Sequence, residues 1–221
     1  MLFLTVSDEV VPAIYSLNIK ERFHGIDVVL GCGDLPPYYL EFIVTMLAKP
    51  CFYIDGNHNA VEYTEEGPEL LAPRGCTLLE GRSTCYADLL IAGLGGCLRY
   101  NQEAGAQYTE AQMMARVWKL APRLLLNRLR YGRYLDIMLT HAPPLGIHNG
   151  PDRPHRGFQA FLRLMDLFQP RYLIHGHIHR SYGFSAVTET RYKRTLVLNT
   201  AGYRLLTVDA HPINQIGVQP T

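Results

Sequence analysis

Side chains that can bind metal ions stand at the ends of several short apolar segments of this chain. They offer carboxylate oxygens, an amide oxygen or imidazole nitrogens, and they are Asp8, Asp34, Asn57, His141, His177 and His179. A mixture of carboxylate and imidazole ligands favours Mn, Fe or Zn over Ca or a pure Mg site. Two such ions, held roughly 3.5–4 Å apart by a shared carboxylate, can activate a water molecule for in-line attack on phosphorus. The residue types therefore predict a metal site in which these ligands can serve neighbouring ions.

The histidine-rich segment from His175 to His179 is the most specific of these features. Three histidines fall within its five residues, and neither an apolar core nor a solvated surface explains that density. Each of the other residues has an ordinary structural alternative when taken alone, because an aspartate after a strand is commonly a turn residue or a helix cap. Asn57 follows a glycine, a pair that is common in turns. Their recurrence at the ends of five predicted strands favours metal binding.

The elements that must position these residues alternate between strands and helices. Strands are predicted over residues 2–6, 27–30 and 51–54, with helices over 11–23 and 36–48 between them. This β-α-β-α-β order predicts a parallel sheet. Because ligands bind beyond the carboxyl ends of the strands in such sheets, residues far apart in sequence are expected to meet at one edge.

The rest of the chain predicts a second sheet. Its predicted strands cover residues 77–80, 84–86, 89–92, 136–139, 172–174, 182–187, 195–198 and 205–209. Helices are predicted over 108–134 and 157–168; Thr109 and Gln112 form a candidate capping box, and Pro122 is expected to kink or split the first of the two helices. We expect this sheet to be more antiparallel than the first.

Composition excludes several classes of protein. The 221 residues, 48% of them hydrophobic and 19% charged, predict a single globular domain over residues 1–221. A formal net charge of +1 argues against a nucleic-acid partner. No stretch approaches the roughly 18 apolar residues of a membrane span. Five cysteines without a Cys-x-x-Cys pair argue against a disulfide scaffold or zinc finger, and they favour a cytoplasmic location.

The motifs, in their order along the chain, resemble those of the calcineurin-like metallophosphoesterase superfamily. The matching segments are Asp8-Glu9-Val10, Gly33-Asp34, Gly56-Asn57-His58-Asn59, Thr140-His141 before Ala-Pro-Pro, and Gly176-His177-Ile178-His179. The resemblance implies an α/β fold, a four-layer α/β/β/α sandwich in which two facing mixed β-sheets are flanked by helices. It places the metal site at the carboxyl-terminal edge of the strands. It also implies metal-dependent hydrolysis of a phosphomonoester or phosphodiester.

The same resemblance implies a role for each residue. Asp34 would bridge two ions, the first also bound by Asp8 and His179 and the second by Asn57, His141 and His177. His58 would stay off the metals, near the scissile phosphate, as a transition-state stabiliser or as the acid that protonates the leaving group. Its structural alternative is a turn histidine.

Two positions depart from the family pattern. Val10 stands where the family has a histidine, and Asn59 stands where an acid is usual. Because valine cannot bind a metal ion, we expect the first site to be incomplete, with water, Glu9 or another nearby group in the vacant position. Asn59 would weaken a carboxylate–histidine contact beside the metals.

Two further residues are candidates for substrate contact. Arg99 follows the Gly95-Gly96 pair, and an arginine there can bind a phosphate through two parallel hydrogen bonds. His155 lies in a loop rich in proline and glycine after His141, as does His148 with a weaker case. The expected partner is a small phosphate ester. A non-catalytic binding or scaffold protein is the alternative, which Val10 supports, and balanced charge argues against a nuclease.

Overall fold

The computed structural model describes residues 1–58, 61–64, 67–70, 72–101, 105–179 and 187–209. Asn59 and residues 182–186 of one predicted strand lie outside the described residues.

The first sheet has five strands. They are β1 (Leu2–Ser7), β2 (Val28–Gly31), β3 (Cys51–Tyr53), β6 (Cys76–Leu78) and β15 (Gly202–Thr207). Their order across the sheet is β15-β1-β2-β3-β6. Strands β1, β2, β3 and β6 are parallel, which confirms the sheet predicted from the alternating pattern, and β15 pairs antiparallel with β1.

The second sheet has six strands. They are β7 (Ser83–Tyr86), β8 (Leu89–Leu94), β11 (Ile137–Thr140), β12 (Tyr172–His175), β13 (Glu189–Tyr192) and β14 (Thr195–Asn199), in the order β13-β14-β12-β11-β8-β7. The expectation that this sheet is more antiparallel than the first is confirmed, because two of its five strand pairs are antiparallel, β7 with β8 and β13 with β14, against one of four in the first sheet. Its central strands β8, β11, β12 and β14 are nevertheless parallel. Helical crossovers join β8 to β11 and β11 to β12, and they return the chain to the same end of the sheet. Two short pairs complete the strands: β4 (Val61–Thr64) with β5 (Gly67–Leu70), and β9 (Cys97–Leu98) with β10 (Gln107–Tyr108).

Four helices lie in the described part of the chain: α1 (Ile19–Arg22), α2 (Pro37–Leu47), α3 (Glu110–Tyr131) and α4 (Gln159–Phe168). The helix predicted over 11–23 is reduced to α1, and turns precede it; Ser16 and Asn18 are residues whose side chains favour turns over helix interiors. The capping box of α3 is confirmed, since Thr109 and Gln112 each bond to the backbone of the other. Pro122 does not split α3, because buried residues on both of its sides hold the helix against the second sheet.

Three apolar clusters separate four layers. Phe3, Leu30 and Ile54 of the first sheet meet Ile137 and Ile174 of the second sheet in the central cluster. Another cluster joins the first sheet to α1 and α2, and the third joins the second sheet to α3 and α4. The four-layer α/β/β/α sandwich is therefore confirmed. Among the described residues, none of the helices has the length and apolar character that a membrane crossing requires.

Candidate metal centre

Five of the six predicted metal-binding residues lie just beyond the carboxyl ends of parallel strands. Asp8 follows β1, Asp34 follows β2, Asn57 follows β3, His141 follows β11 and His177 follows β12. The facing sheets thus bring residues more than a hundred positions apart to one edge of the sandwich. Single ligand atoms of Asp34, His141 and His177 all lie within 4.8 Å of one another.

The His141 ring stands at the middle of this group. Its Nδ1 atom is 2.8 Å from the carbonyl oxygen of Cys32. A carbonyl oxygen only accepts hydrogen bonds, so Nδ1 carries a proton, and Nε2 is the nitrogen that holds the lone pair when the ring is neutral. Nε2 is 2.9 Å from Oδ1 of Asn57 and 3.2 Å from Oδ2 of Asp34. In the neutral ring, three acceptor atoms therefore face one point, where a proton on Nε2 or a metal cation can lie between them.

The pKa values of this group reflect the same crowding. Burial alone would lower the pKa of His141, but the charge of Asp34 outweighs it and raises the pKa to about 9. Burial alone would raise the pKa of Asp34, yet the His141 ring and the backbone N–H of His58, 2.8 Å from Oδ1, hold it well below its usual range. Burial raises the pKa of Asp8. A cation would relieve the unfavourable burial of these carboxylates.

His177 is oriented from two sides. Its backbone N–H donates to both carboxylate oxygens of Asp8, at 3.0 and 2.9 Å. Its ring Nε2 donates to the carbonyl oxygen of Pro154 at 2.9 Å, which leaves Nδ1 with its lone pair for a ligand. Burial lowers the pKa of His177 to about 3, so the ring is neutral, the form that binds metals.

The backbone around the site adopts conformations that cost free energy. Asp8, Asp34 and His177 have φ angles of 66°, 53° and 67°, in the left-handed region that non-glycine residues rarely occupy. Each such residue costs on the order of 1–3 kcal/mol, and such strain is concentrated at functional sites. Gly56 is required by close approach, since a Cβ atom there would collide with the Asp34 carboxylate. A Cβ atom at Gly176 would collide with Asp8.

Asn57 provides an independent indication of a missing group. Its side-chain nitrogen is buried and has no hydrogen-bond partner among the described residues. Buried polar atoms are almost always paired, and an exception indicates an unseen ligand, ion or water. That nitrogen is a donor and cannot bind a cation, whereas Oδ1 of Asn57 joins Asp34, His141 and His177 in a set of mixed oxygen and nitrogen ligands that fits a divalent cation.

The group around His179 is looser. Its Nε2 atom is 3.9 Å from Oδ1 of Asp8, and its Nδ1 atom is 3.1 Å from Oε1 of Glu9. A carboxylate that accepts from one ring nitrogen orients the other for a metal. Val10 is half-buried and packs against the apolar cluster beneath the first sheet, which includes Leu4. Position 10 therefore contributes to packing, and Glu9 is the carboxylate that reaches His179.

The candidate catalytic and substrate residues lie around the same edge. The His58 side chain is exposed, while its backbone contacts Asp34. The His155 ring lies 5.3 Å from the His177 ring, centroid to centroid, and its Nδ1 is 2.7 Å from Oδ2 of Asp152. Arg99 lines a pocket on the side of the loop that carries His155.

One feature of this region differs from its prediction, and another was not predicted. His148 is not a rim residue: it is buried, and its ring bonds to His175 and Thr190 at 2.9 Å each. Arg153 and Arg156 line the pocket of Arg99 and were not singled out as candidates. The signal available for them was their position on both sides of the Pro154-His155 pair.

Comparisons with known proteins agree with this geometry. A sequence-family profile described as calcineurin-like phosphoesterase matches residues 9–181. A comparison with curated proteins found no match. One solved structure aligns with a TM-score of 0.62 at 13% identity, covering 93% of this chain and 94% of its own. The protein TT1561 of Thermus thermophilus aligns with a TM-score of 0.56 at 14% identity, covering 91% of this chain and 89% of its own. At these identities the likeness concerns the fold alone.

Proposed function

This chain belongs to the calcineurin-like phosphoesterase family, and we propose that it is a metal-dependent phosphoesterase that hydrolyses a small phosphomonoester or phosphodiester. The observation that supports this best is the meeting of Asp34, Asn57 and His141 acceptor atoms at one point beside the neutral His177 ring. A bound cation would stabilise this arrangement, because it would take the place of the His141 proton between the Asp34 carboxylate and the lone pairs of Asn57 and His141. In this proposal residues 1–221 act as one domain.

The proposed reaction transfers a phosphoryl group to water. The water oxygen forms a bond to phosphorus, the bond from phosphorus to the alcohol oxygen breaks, and that oxygen takes up a proton. The ion-binding residues are Asp34, Asn57, His141 and His177 for the second site, and Asp8, Asp34 and His179 for the first. Bound Mn, Fe or Zn would supply positive charge to the phosphoryl oxygens and a water nucleophile at neutral pH.

His58 is the proposed catalytic residue of the reaction. Its backbone N–H is fixed on Asp34 at 2.8 Å, and its side chain reaches the solvent at the mouth of the site. A histidine in this position can protonate the departing alcohol oxygen or stabilise the charge of the transition state. Arg99 and His155 are the proposed substrate-binding residues.

Metal removal tests the proposed function directly. Protein loaded with Mn²⁺ is expected to hydrolyse nitrophenyl phosphate or its diester, to lose this activity in EDTA, and to regain it when Mn²⁺ is restored, since the hydrolysis needs the ions. Release of nitrophenol is the measurement. Absence of turnover with Mn, Fe and Zn alike would reject the phosphoesterase proposal.

A non-catalytic binding or scaffold function is the second candidate. The packing of Val10 against the apolar cluster favours it, because the position that would complete the first site contributes to stability instead. This function predicts binding of an ion at the second site without hydrolysis of either ester.

We propose that Glu9 holds His179 in the orientation that binds the first ion. Replacing Glu9 with alanine is expected to weaken binding of the weaker of two Mn²⁺ ions roughly 10–100-fold, because loss of an orienting carboxylate has that effect on metal sites. Isothermal titration of the metal-free protein measures both ions separately. Glu9→Gln, which retains an acceptor oxygen, is expected to lose less affinity for this ion than Glu9→Ala.

Glu21→Ala, at an exposed position of α1, serves as the matched control and is expected to bind both ions as the wild type does. Two equally tight ions in the wild type would reject the incomplete first site. Unchanged affinities in Glu9→Ala would reject the role of Glu9 alone.

A further inference from the structure

A basic pocket lies beside the candidate metal centre. Its cavity has a volume of about 480 Å³, and its charged lining residues are Arg99, Glu110, Arg153 and Arg156. Cavities of roughly 300–1,000 Å³ are the usual size of sites for small molecules. The pocket therefore has room for more than a single phosphate ion.

The three arginines of the pocket keep their positive charge available. Arg99 donates from Nη2 to the carbonyl oxygen of Gln107 at 3.3 Å and to Oε1 of Gln112 at 3.2 Å, both neutral acceptors. Arg153 and Arg156 are exposed, and within the described ranges neither forms an ion pair. Unpaired guanidinium groups around a concave surface attract an anion.

Glu110 offsets at most one of these three positive charges. Its carboxylate oxygens accept from the backbone N–H groups of Gln159 and Ala160, at 3.2 and 2.5 Å. These are the first residues of α4, where the helix dipole favours a negative charge. The Glu110 carboxylate is thus committed to the helix end, and the pocket retains a positive balance.

Both walls of the pocket are connected to the metal centre through hydrogen bonds of neighbouring residues. Arg153 and Arg156 flank Pro154, whose carbonyl oxygen lies 2.9 Å from Nε2 of His177. Consecutive Cα atoms are about 3.8 Å apart, so these arginines lie within a few residue lengths of the proposed second ion. On the other wall, Arg99 lies three residues after Gly96, whose carbonyl oxygen accepts from the backbone N–H that follows His141.

We propose that the pocket of Arg99, Arg153 and Arg156 binds a second phosphate group of the substrate, so that the substrate class is a phosphate ester that carries another phosphate. This inference rests on the proposed phosphoesterase function. The ester phosphate is bound at the ions, and the guanidinium groups, whose planar donors match phosphate oxygens, bind the second one. The near-neutral charge of the whole chain is compatible with this, because the basic groups are concentrated at one pocket.

Kinetics on a matched pair of esters test the inference. Phenyl phosphate and 1,4-phenylene bisphosphate differ by one phosphate group. The Mn²⁺-loaded wild type is expected to have a kcat/KM at least about tenfold higher for the bisphosphate. That ratio corresponds to the contribution of one hydrogen bond to a charged group. In the double variant Arg153→Gln, Arg156→Gln this preference is expected to fall about tenfold or more, chiefly through KM. Arg22→Gln, on α1 in the opposite helix layer, is the control and is expected to keep the preference.

The outcomes separate the two proposals. Turnover of phenyl phosphate without preference for the bisphosphate, or a double variant that keeps the preference, overturns the pocket and leaves the phosphoesterase. If neither ester is hydrolysed, titration of the metal-free protein with inorganic pyrophosphate tests phosphate binding in the pocket independently of hydrolysis. If the wild type binds pyrophosphate and the double variant does not, the pocket proposal is supported. If neither protein binds pyrophosphate, or both bind it equally, the pocket proposal is overturned.

Discussion

Replacing Asp34 with asparagine is expected to lower kcat/KM for phosphate ester hydrolysis by roughly 10³-fold, the upper end of what loss of one electrostatic contact costs. Asparagine keeps the size of the side chain and removes its charge, and the proposed role of Asp34 is to hold both ions. Nitrophenyl phosphate turnover with added Mn²⁺ measures the effect, and elemental analysis of the same preparation is expected to show that bound metal falls as well.

The control for Asp34→Asn is Asp166→Asn. Asp166 lies on α4, pairs with Lys193 and contacts no residue of the candidate metal centre within the described part of the chain, so its loss is expected to change neither activity nor metal content. An Asp34→Asn variant that keeps wild-type turnover and two bound ions would contradict the bridging role.

Titration of the metal-free protein provides a readout of Asp34→Asn that does not depend on activity. In the wild type, burial lowers the pKa of His141, but Asp34, with smaller effects from Asp8 and the Cys32 carbonyl, raises it from 6.5 to about 9, and loss of the Asp34 charge is expected to bring that pKa down. The raised pKa means that His141 stabilises the fold fully below pH 6.5 and loses this contribution as the pH rises through about 9. The lowered pKa of Asp34 adds stability above its ordinary value of 3.8, which is lost as the pH falls. The difference in unfolding free energy between wild type and variant, measured in urea, is therefore expected to be largest between these two limits.

The site residues at the carboxyl-terminal edge of the strands could be predicted, because the sequence pattern that positions them is local. Asp34, Asn57 and His177 each follow a glycine directly after a strand or the short turn beyond it, and a side chain at Gly56 or Gly176 would collide with another site residue. Short apolar segments that end in such pairs indicate both the strand and the crevice beyond it. The four-layer arrangement then follows from two sheets that each need both faces covered.

Other features depend on contacts that no local pattern records. Strands β8, β11 and β12 of the second sheet are parallel because α3 and α4 return the chain to the starting end, which strand patterns do not reveal. His148 resembles a loop histidine in sequence, yet it packs against His175, which lies 27 positions away. Arg153 belongs to a pocket whose other wall is formed by Arg99, and only the folded chain brings the two together.

Replacing His58 with alanine is expected to lower kcat by roughly 10²–10⁴-fold, the range for loss of a general acid or base. Metal content is expected to be unchanged, because the contact of His58 with Asp34 is made by the backbone N–H, which alanine retains. His24→Ala removes another exposed histidine, whose ring Nδ1 lies 3.1 Å from the nearby carbonyl oxygen of Glu21, and it is the matched control.

The chemical nature of the leaving group decides which role His58 has. Nitrophenolate departs without a proton, whereas an alkoxide needs one, so an acid that protonates the leaving oxygen matters more for an alkyl phosphate than for nitrophenyl phosphate. A larger loss on the alkyl ester is therefore expected if His58 is the acid, and equal losses on both esters indicate that it stabilises the charge of the transition state instead. If His58→Ala behaves as His24→Ala does on both esters, His58 is a turn residue, and hydrolysis at this centre takes place without it.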